Sequence, residues 1–172
     1  MKLILFLLLP FALQAQVCPP QGDNAKLKIQ AADLLKNRSH FPDTSTANFV
    51  EFDSLETTKD TGLIYIEGYL TYAKISGVES CQCHDKSPAM RDYHIYIGTE
   101  PKAPKNECII VEVSRYSRAV NPDLTFANVK SLTGKMVRVY GYAFSDDEHK
   151  SAIGVWRKGI LEIHPVFLIL GL

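Results

Sequence analysis

From Leu63 to Ile75 the chain reads LIYIEGYLTYAKI, a run of β-branched and aromatic residues broken once, by Gly68. This composition predicts a long strand, with the glycine at a bend or bulge. Downstream, Tyr93-His94-Ile95-Tyr96-Ile97 alternates strictly. Tyr93, Ile95 and Ile97 fall on one face and Asp92, His94 and Tyr96 on the other, so one face is expected in the core and the other wet. Cys108 to Val113 reads as a third strand. A helix is expected from Pro122 to Leu132, with Asn121 as N-cap and Gly134 as its end. Lys135 to Phe144 resumes as a fourth strand. The last runs from about Gly159 to Leu170, interrupted by Pro165, which cannot donate to a ladder and marks a bulge or an edge. The order β-β-β-α-β-β is that of an OB-fold, a five-stranded, partly open barrel. The fold class is therefore mainly β, with an OB-like barrel over residues 61–172.

Ahead of the barrel, Ala25 to Lys36 places apolar residues at helical spacing behind the caps Asp23 and Asn24, predicting a helix from about 24 to 36. Residues 37–60 are rich in Asn, Ser, Thr and Asp, and read as an irregular segment wrapping the domain or linking into it. Helix and segment form an N-terminal region, 17–60.

The first residues have a different character. Lys2 precedes an apolar run from Leu3 to Leu13, and Ala12-Leu13-Gln14-Ala15-Gln16 offers small residues for cleavage. This is the pattern of a signal peptide over 1–16, too short for the roughly 20 residues a membrane span requires. Export to the periplasm or the medium is expected, with no transmembrane segment after cleavage. Val17 stands before Cys18 where lipidation would need a small residue, so a soluble mature protein is favoured over a lipid-anchored one.

Charge is balanced, with 19 basic and 19 acidic residues. There is no global positive field for phosphates, so nucleic-acid binding would have to be local. Arg115, Arg118, Lys130, Lys135 and Arg138, with Tyr96, Tyr116, Tyr140 and Tyr142 nearby in sequence, offer such a locality, although core packing and ordinary surface account for the same residues. Four cysteines, Cys18, Cys81, Cys83 and Cys108, would meet an oxidising compartment after export, and Cys108 with Cys81 or Cys83 is the expected disulfide.

OB barrels bind ligands on the face of their second and third strands, between the loop joining strands one and two and the loop joining strands four and five. Here those loops are 76–91 and 145–158. The first carries Glu79-Ser80-Cys81-Gln82-Cys83-His84-Asp85 and the second Asp146-Asp147-Glu148-His149. Asp92 and His94 stand between them, and Glu162 and His164 share one face of the last strand. Cys83, His84, His94, His149 and His164 are candidate ligands for a divalent metal such as zinc, with Glu148 or Glu162 as a catalytic base. No HExxH or zinc-finger spacing is present. Structural hydrogen bonds from strand histidines to Asp92, Glu162 or backbone explain the same residues. Neither Ser80 nor Ser145 sits in a GxSxG-like turn, which argues against acyl transfer. Trp156, just before the last strand, either stacks on a ligand or plugs the barrel end.

Taken together, Leu35-Lys36-Asn37-Arg38, Val78-Glu79-Ser80 with Cys83-His84, Arg91-Asp92 with His94-Ile95, Asp147-Glu148-His149, Trp156-Arg157 and Glu162-Ile163-His164-Pro165-Val166 are similar to a group of uncharacterised exported bacterial proteins. The resemblance covers most of the mature chain and implies export and the barrel rather than a mechanism. It directs attention to Cys83, His84, Asp92, His94, Glu148, His149, Glu162 and His164. At Leu161 the chain departs from the pattern, where relatives tend to carry Trp.

Three functions follow as expectations. The first is an exported binding module for an anionic ligand, nucleic-acid fragment or glycan at the barrel mouth, using Asp92, His94, Tyr96 and Trp156. The second is a divalent-metal-assisted hydrolase or phosphodiesterase. The third is a structural envelope or partner-binding domain.

Overall fold

A computed structural model describes residues 42–57, 62–78 and 85–172. The segments expected to be a signal peptide and a helix at 24–36, together with Cys18, Cys81, Cys83 and His84, lie outside the described residues. The strands are β1 (Asn48–Phe49), β2 (Leu63–Ile75), β3 (Tyr93–Gly98), β4 (Ile109–Val113), β5 (Met136–Ser145) and β6 (Leu161–Gly171). Two short helices, α1 (Arg115–Val120) and α2 (Phe126–Ser131), lie between β4 and β5.

The length of β2 closes the barrel. Its first half, Leu63 to Tyr69, pairs antiparallel with β5, and its second half, Tyr69 to Ile75, pairs antiparallel with β3. Gly68 sits at this crossing, where a Cβ would stand 2.6 Å from Ile97 Cγ2 and 2.9 Å from the Gly98 carbonyl oxygen. Only glycine lets the two backbones approach so closely. β3 pairs antiparallel with β4, β4 runs parallel to β6, and β6 pairs antiparallel with β5. The ring β2-β3-β4-β6-β5 is a closed, five-stranded, mixed β-barrel of OB type.

Inward-facing residues fill it. Ile64, Ile66, Leu70, Ile95, Ile97, Val111, Val113, Val137, Val139, Ile163 and Val166 form one apolar cluster, with Leu124 and Val129 from the helical region. Pro165 falls where the β5–β6 register shifts, between the pairs Gly141↔Val166 and Ala143↔Ile163, as its missing N–H requires.

The helical region differs from the expected single helix. Asn121 is the C-cap of α1 rather than an N-cap. Pro122 disfavours helical geometry at the residue before it, so the chain turns at Asn121 and restarts at Thr125, whose side chain accepts from the Asn128 N–H. The Asn121 amide donates instead to the Phe167 carbonyl at 3.1 Å, anchoring the turn to β6. Gly134, at φ 81°, then leads into β5.

Residues 42–57 are a strap. β1 adds in parallel to β2, and Val50 and Leu55 insert into the core. The Glu56 carboxylate accepts from the Ile160 and Leu161 N–H groups at 3.1 and 3.0 Å, and Asp53 pairs with Lys158. A Cβ on Gly159 would stand 1.9 Å from Glu56 Oε1, so this glycine admits the carboxylate. The strap thereby ties down the start of β6 and the segment before it. Among the described residues, no helix is long and apolar enough to cross a membrane.

Candidate functional site

The outer faces of β3, β4 and β6 carry His94, Tyr96, Ile110, Glu112, Glu162 and His164, and Asp92 immediately precedes β3. Strand pairing sets His94 opposite Glu112, Tyr96 opposite Ile110, and Ile110 opposite Glu162. The face expected to be wet is covered: Asp92, Tyr96, Glu112, Glu162 and His164 are all buried. Alternation assigns a side chain to a face, but loops packed over the face decide whether water reaches it.

Two polar groups lie side by side here. In the first, Glu112 binds histidines with both oxygens. His94 Nε2 lies 3.0 Å from Oε1, and His164 Nδ1 lies 2.9 Å from Oε2. Asp92 joins them: one donor atom each from Asp92, Glu112 and His164 lies within 4.8 Å of the others. The Phe144 ring packs against the His164 imidazole at 5.7 Å.

The second group centres on Arg157, which is fully buried. Its Nη1 donates to Asp146 Oδ2 at 2.6 Å and its Nη2 to Glu162 Oε2 at 3.4 Å. Nε and Nη2 also donate to the Gly159 and Ile160 carbonyls at 2.7 and 3.1 Å. This fork gives one guanidinium four protein acceptors, which only arginine can satisfy in that plane. His149 Nδ1 joins the same Asp146 oxygen at 2.6 Å and stands edge-on to Trp156 at 5.5 Å. Arg157 thus binds the segment 146–158 down onto the barrel.

Beside these groups the outer face opens into an aromatic and basic rim. Trp156 is half-buried against Tyr96, Ile110 and Cys108, with Lys74 Nζ 5.8 Å from its ring. Tyr72 packs edge-on to Tyr96 at 5.6 Å and is 41% exposed, enough for one ring face to meet a ligand. Lys105 Nζ lies 4.1 Å from the Tyr72 ring centre and 5.3 Å from that of Tyr96. Burial, and the neighbouring Tyr72 hydroxyl, raise the Tyr96 phenol above its ordinary range and keep it neutral.

The cysteines expected to pair with Cys108, Cys81 and Cys83, lie outside the described residues. Among the described residues Cys108 is a free, buried thiol. Its Sγ donates to the Pro104 carbonyl at 3.3 Å and lies 3.4 Å from Thr71 Oγ1, and burial raises its pKa. Enclosed between Thr71, Ala103 and the Pro104 turn, it packs as a small apolar side chain.

The structure therefore joins Asp92, His94 and His164 through Glu112, and joins His149 and Glu162 through Asp146 and Arg157. Glu148 is exposed on the turn Asp147–Ala152. The basic residues of the helical region disperse. Arg118 stacks on Tyr93, Arg115 on Tyr116, and Arg138 pairs with Glu67. Sequence reasoning missed Glu112, whose signal was a lone carboxylate inside the apolar run Ile109-Ile110-Val111-Glu112-Val113. It also missed Tyr72, Lys74 and Lys105, which only the folded surface places beside Trp156.

No protein-family model matches the chain, and no curated protein matches it. Among solved structures, one match is a putative aspartyl-tRNA synthetase from Leishmania major Friedlin, with TM-score 0.43 and 9% identity, covering 77% of this chain and 22% of that one.

Proposed function

We propose that the protein is an exported OB-like binding module whose ligand is a nucleotide or a short single-stranded nucleic-acid fragment, held on the outer face of β2 and β3 beside the segment 146–158. The observation that carries this reading is the row Tyr72, Tyr96 and Trp156 flanked by Lys74 and Lys105, which runs from β2 onto β3 and β4, the second and third barrel strands, where OB barrels take ligands. Tyr72 and the half-buried Trp156 present ring surface on which bases stack irrespective of sequence, with buried Tyr96 packed behind them, and adjacent ammonium groups meet phosphates. Asp92 and His94 belong to the layer beneath the rim and support it.

The rim favours binding over hydrolysis. Glu162 is fully buried and engaged by Arg157, which leaves it poorly placed as a base on a substrate, and Glu148 is exposed on the far turn.

Trp156 is the chain's single tryptophan and so reports on the rim directly. Titration with an oligothymidylate is expected to quench its fluorescence saturably, with affinity falling as salt rises. Tyr72→Ala and Lys105→Ala should each weaken binding, the first by about 1–3 kcal/mol. Unchanged Trp156 emission together with unchanged anisotropy of a labelled oligomer would overturn the reading.

A further inference from the structure

Asp92, immediately before β3, Glu112 of β4 and His164 of β6 meet in one cluster, each nine-tenths buried or more. The Asp92 and Glu112 carboxylates approach within 4.8 Å of each other and of the His164 imidazole. Two carboxylates at that distance in a buried setting repel each other, and a shared proton, a protonated imidazole or a metal cation between them relieves the repulsion. The donor set suits a metal cation. Imidazole nitrogen with carboxylate oxygen is the ligand chemistry of zinc and its first-row neighbours.

The surroundings are those of a built site. Glu112 and His164 stand on the neighbouring strands β4 and β6, and Asp92 immediately precedes β3, where its carbonyl accepts from the Ser76 N–H at 2.8 Å. The second oxygen of Glu112 is engaged by His94, as outer partners orient metal-ligating carboxylates. Phe144 packs against the His164 ring and limits its rotation.

We propose that Asp92, Glu112 and His164 bind a divalent transition-metal cation of the zinc type, with His94 as a positioning residue that orients Glu112. The site lies beneath the ligand rim, does not use its residues, and ties β3, β4 and β6 together on the outside of the barrel. The proposal is independent of the nucleic-acid reading, since Trp156 quenching by oligonucleotide and metal uptake are separate measurements.

The test uses the full-length mature protein without a histidine tag, stripped with chelator and dialysed. On addition of zinc we expect one equivalent retained by inductively coupled plasma mass spectrometry, and a higher melting temperature. Cobalt should give weak visible d–d bands with no thiolate-to-metal charge-transfer band, as nitrogen and oxygen donors require. Glu112→Gln and His164→Ala should abolish the bands, His94→Ala should weaken affinity about 10- to 100-fold, and His149→Ala should leave it unchanged. Three outcomes would overturn the proposal: no retained metal with an unchanged melting temperature, a thiolate charge-transfer band in the wild type, or undiminished uptake in His164→Ala. The first two are read on the wild-type protein, so they decide the matter even if the variants fail to fold.

Discussion

β3, β4 and β6 are buried on both sides, but by different physics. Inward, Ile95, Ile97, Val111, Val113 and Ile163 pack among other aliphatic side chains. Outward, Tyr96, Glu112, Glu162 and His164 are buried to the same degree. The inner layer is held by apolar burial, which has no direction and tolerates swaps that keep volume. The outer layer is held by directional bonds among charged groups, where each member is tolerable only while its partners stay. Equal burial therefore does not mean equal robustness.

The largest expected effect lies in the outer layer. Arg157→Ala leaves Asp146 and Glu162 without the guanidinium between them, and should cost about 3–5 kcal/mol in chemical denaturation. Arg157→Lys should recover only part of this, because an ammonium cannot reproduce the planar fork. In the inner layer, Ile95→Val should cost only about 0.5–1.5 kcal/mol. Equal losses for Arg157→Ala and Ile95→Val would break the comparison.

The strap gives a smaller effect that sharpens it. Glu56→Ala removes two hydrogen bonds to the start of β6, at a cost of about 1 kcal/mol. It should also speed hydrogen exchange at the Ile160 and Leu161 amides while leaving the barrel strands protected. On the rim, Lys105→Ala should change stability by less than about 0.5 kcal/mol while weakening ligand binding, because an exposed cation–π contact contributes little to folding.

The smallest effect is alkaline. The Cys108 thiol and Tyr96 phenol both have folded-state values raised by burial, so the folded state holds their protons more tightly than the unfolded state. Their contribution is complete below the ordinary thiol and phenol ranges and is lost as pH rises through them. Melting temperature should therefore fall less steeply at high pH in Cys108→Ala than in the wild type. In native conditions the Cys108 thiol should resist a thiol reagent until the protein unfolds.

Local pattern made much of the barrel legible. The run Leu63 to Ile75 coincides with β2 because β-branched and aromatic residues leave no competing period, and Gly68 and Pro165 marked a close approach and a register shift. The helical region was misread because Asn121 is a good N-cap in isolation, whereas its position before Pro122 makes it an end. At the site, Asp92, His94, Glu162 and His164 were visible as polar groups on or beside strands. Glu112, which joins Asp92, His94 and His164, was hidden in an apolar run, and the role of Arg157 depends on Asp146, eleven positions away.

By itself the sequence determined the order of strands, the side of each strand a residue faces, and the points where glycine or proline must interrupt the ladder. These depend on backbone geometry within a few residues. Only the tertiary structure decided that the outer face of β3 is covered, that Cys108 is enclosed as a thiol, that Glu112 and not a loop residue joins the histidines, and that Tyr72 and Lys105 stand beside Trp156. Those outcomes depend on which distant segment packs over a face. Burial, and with it the energetic weight of every polar group, is a property of that packing and not of the local pattern.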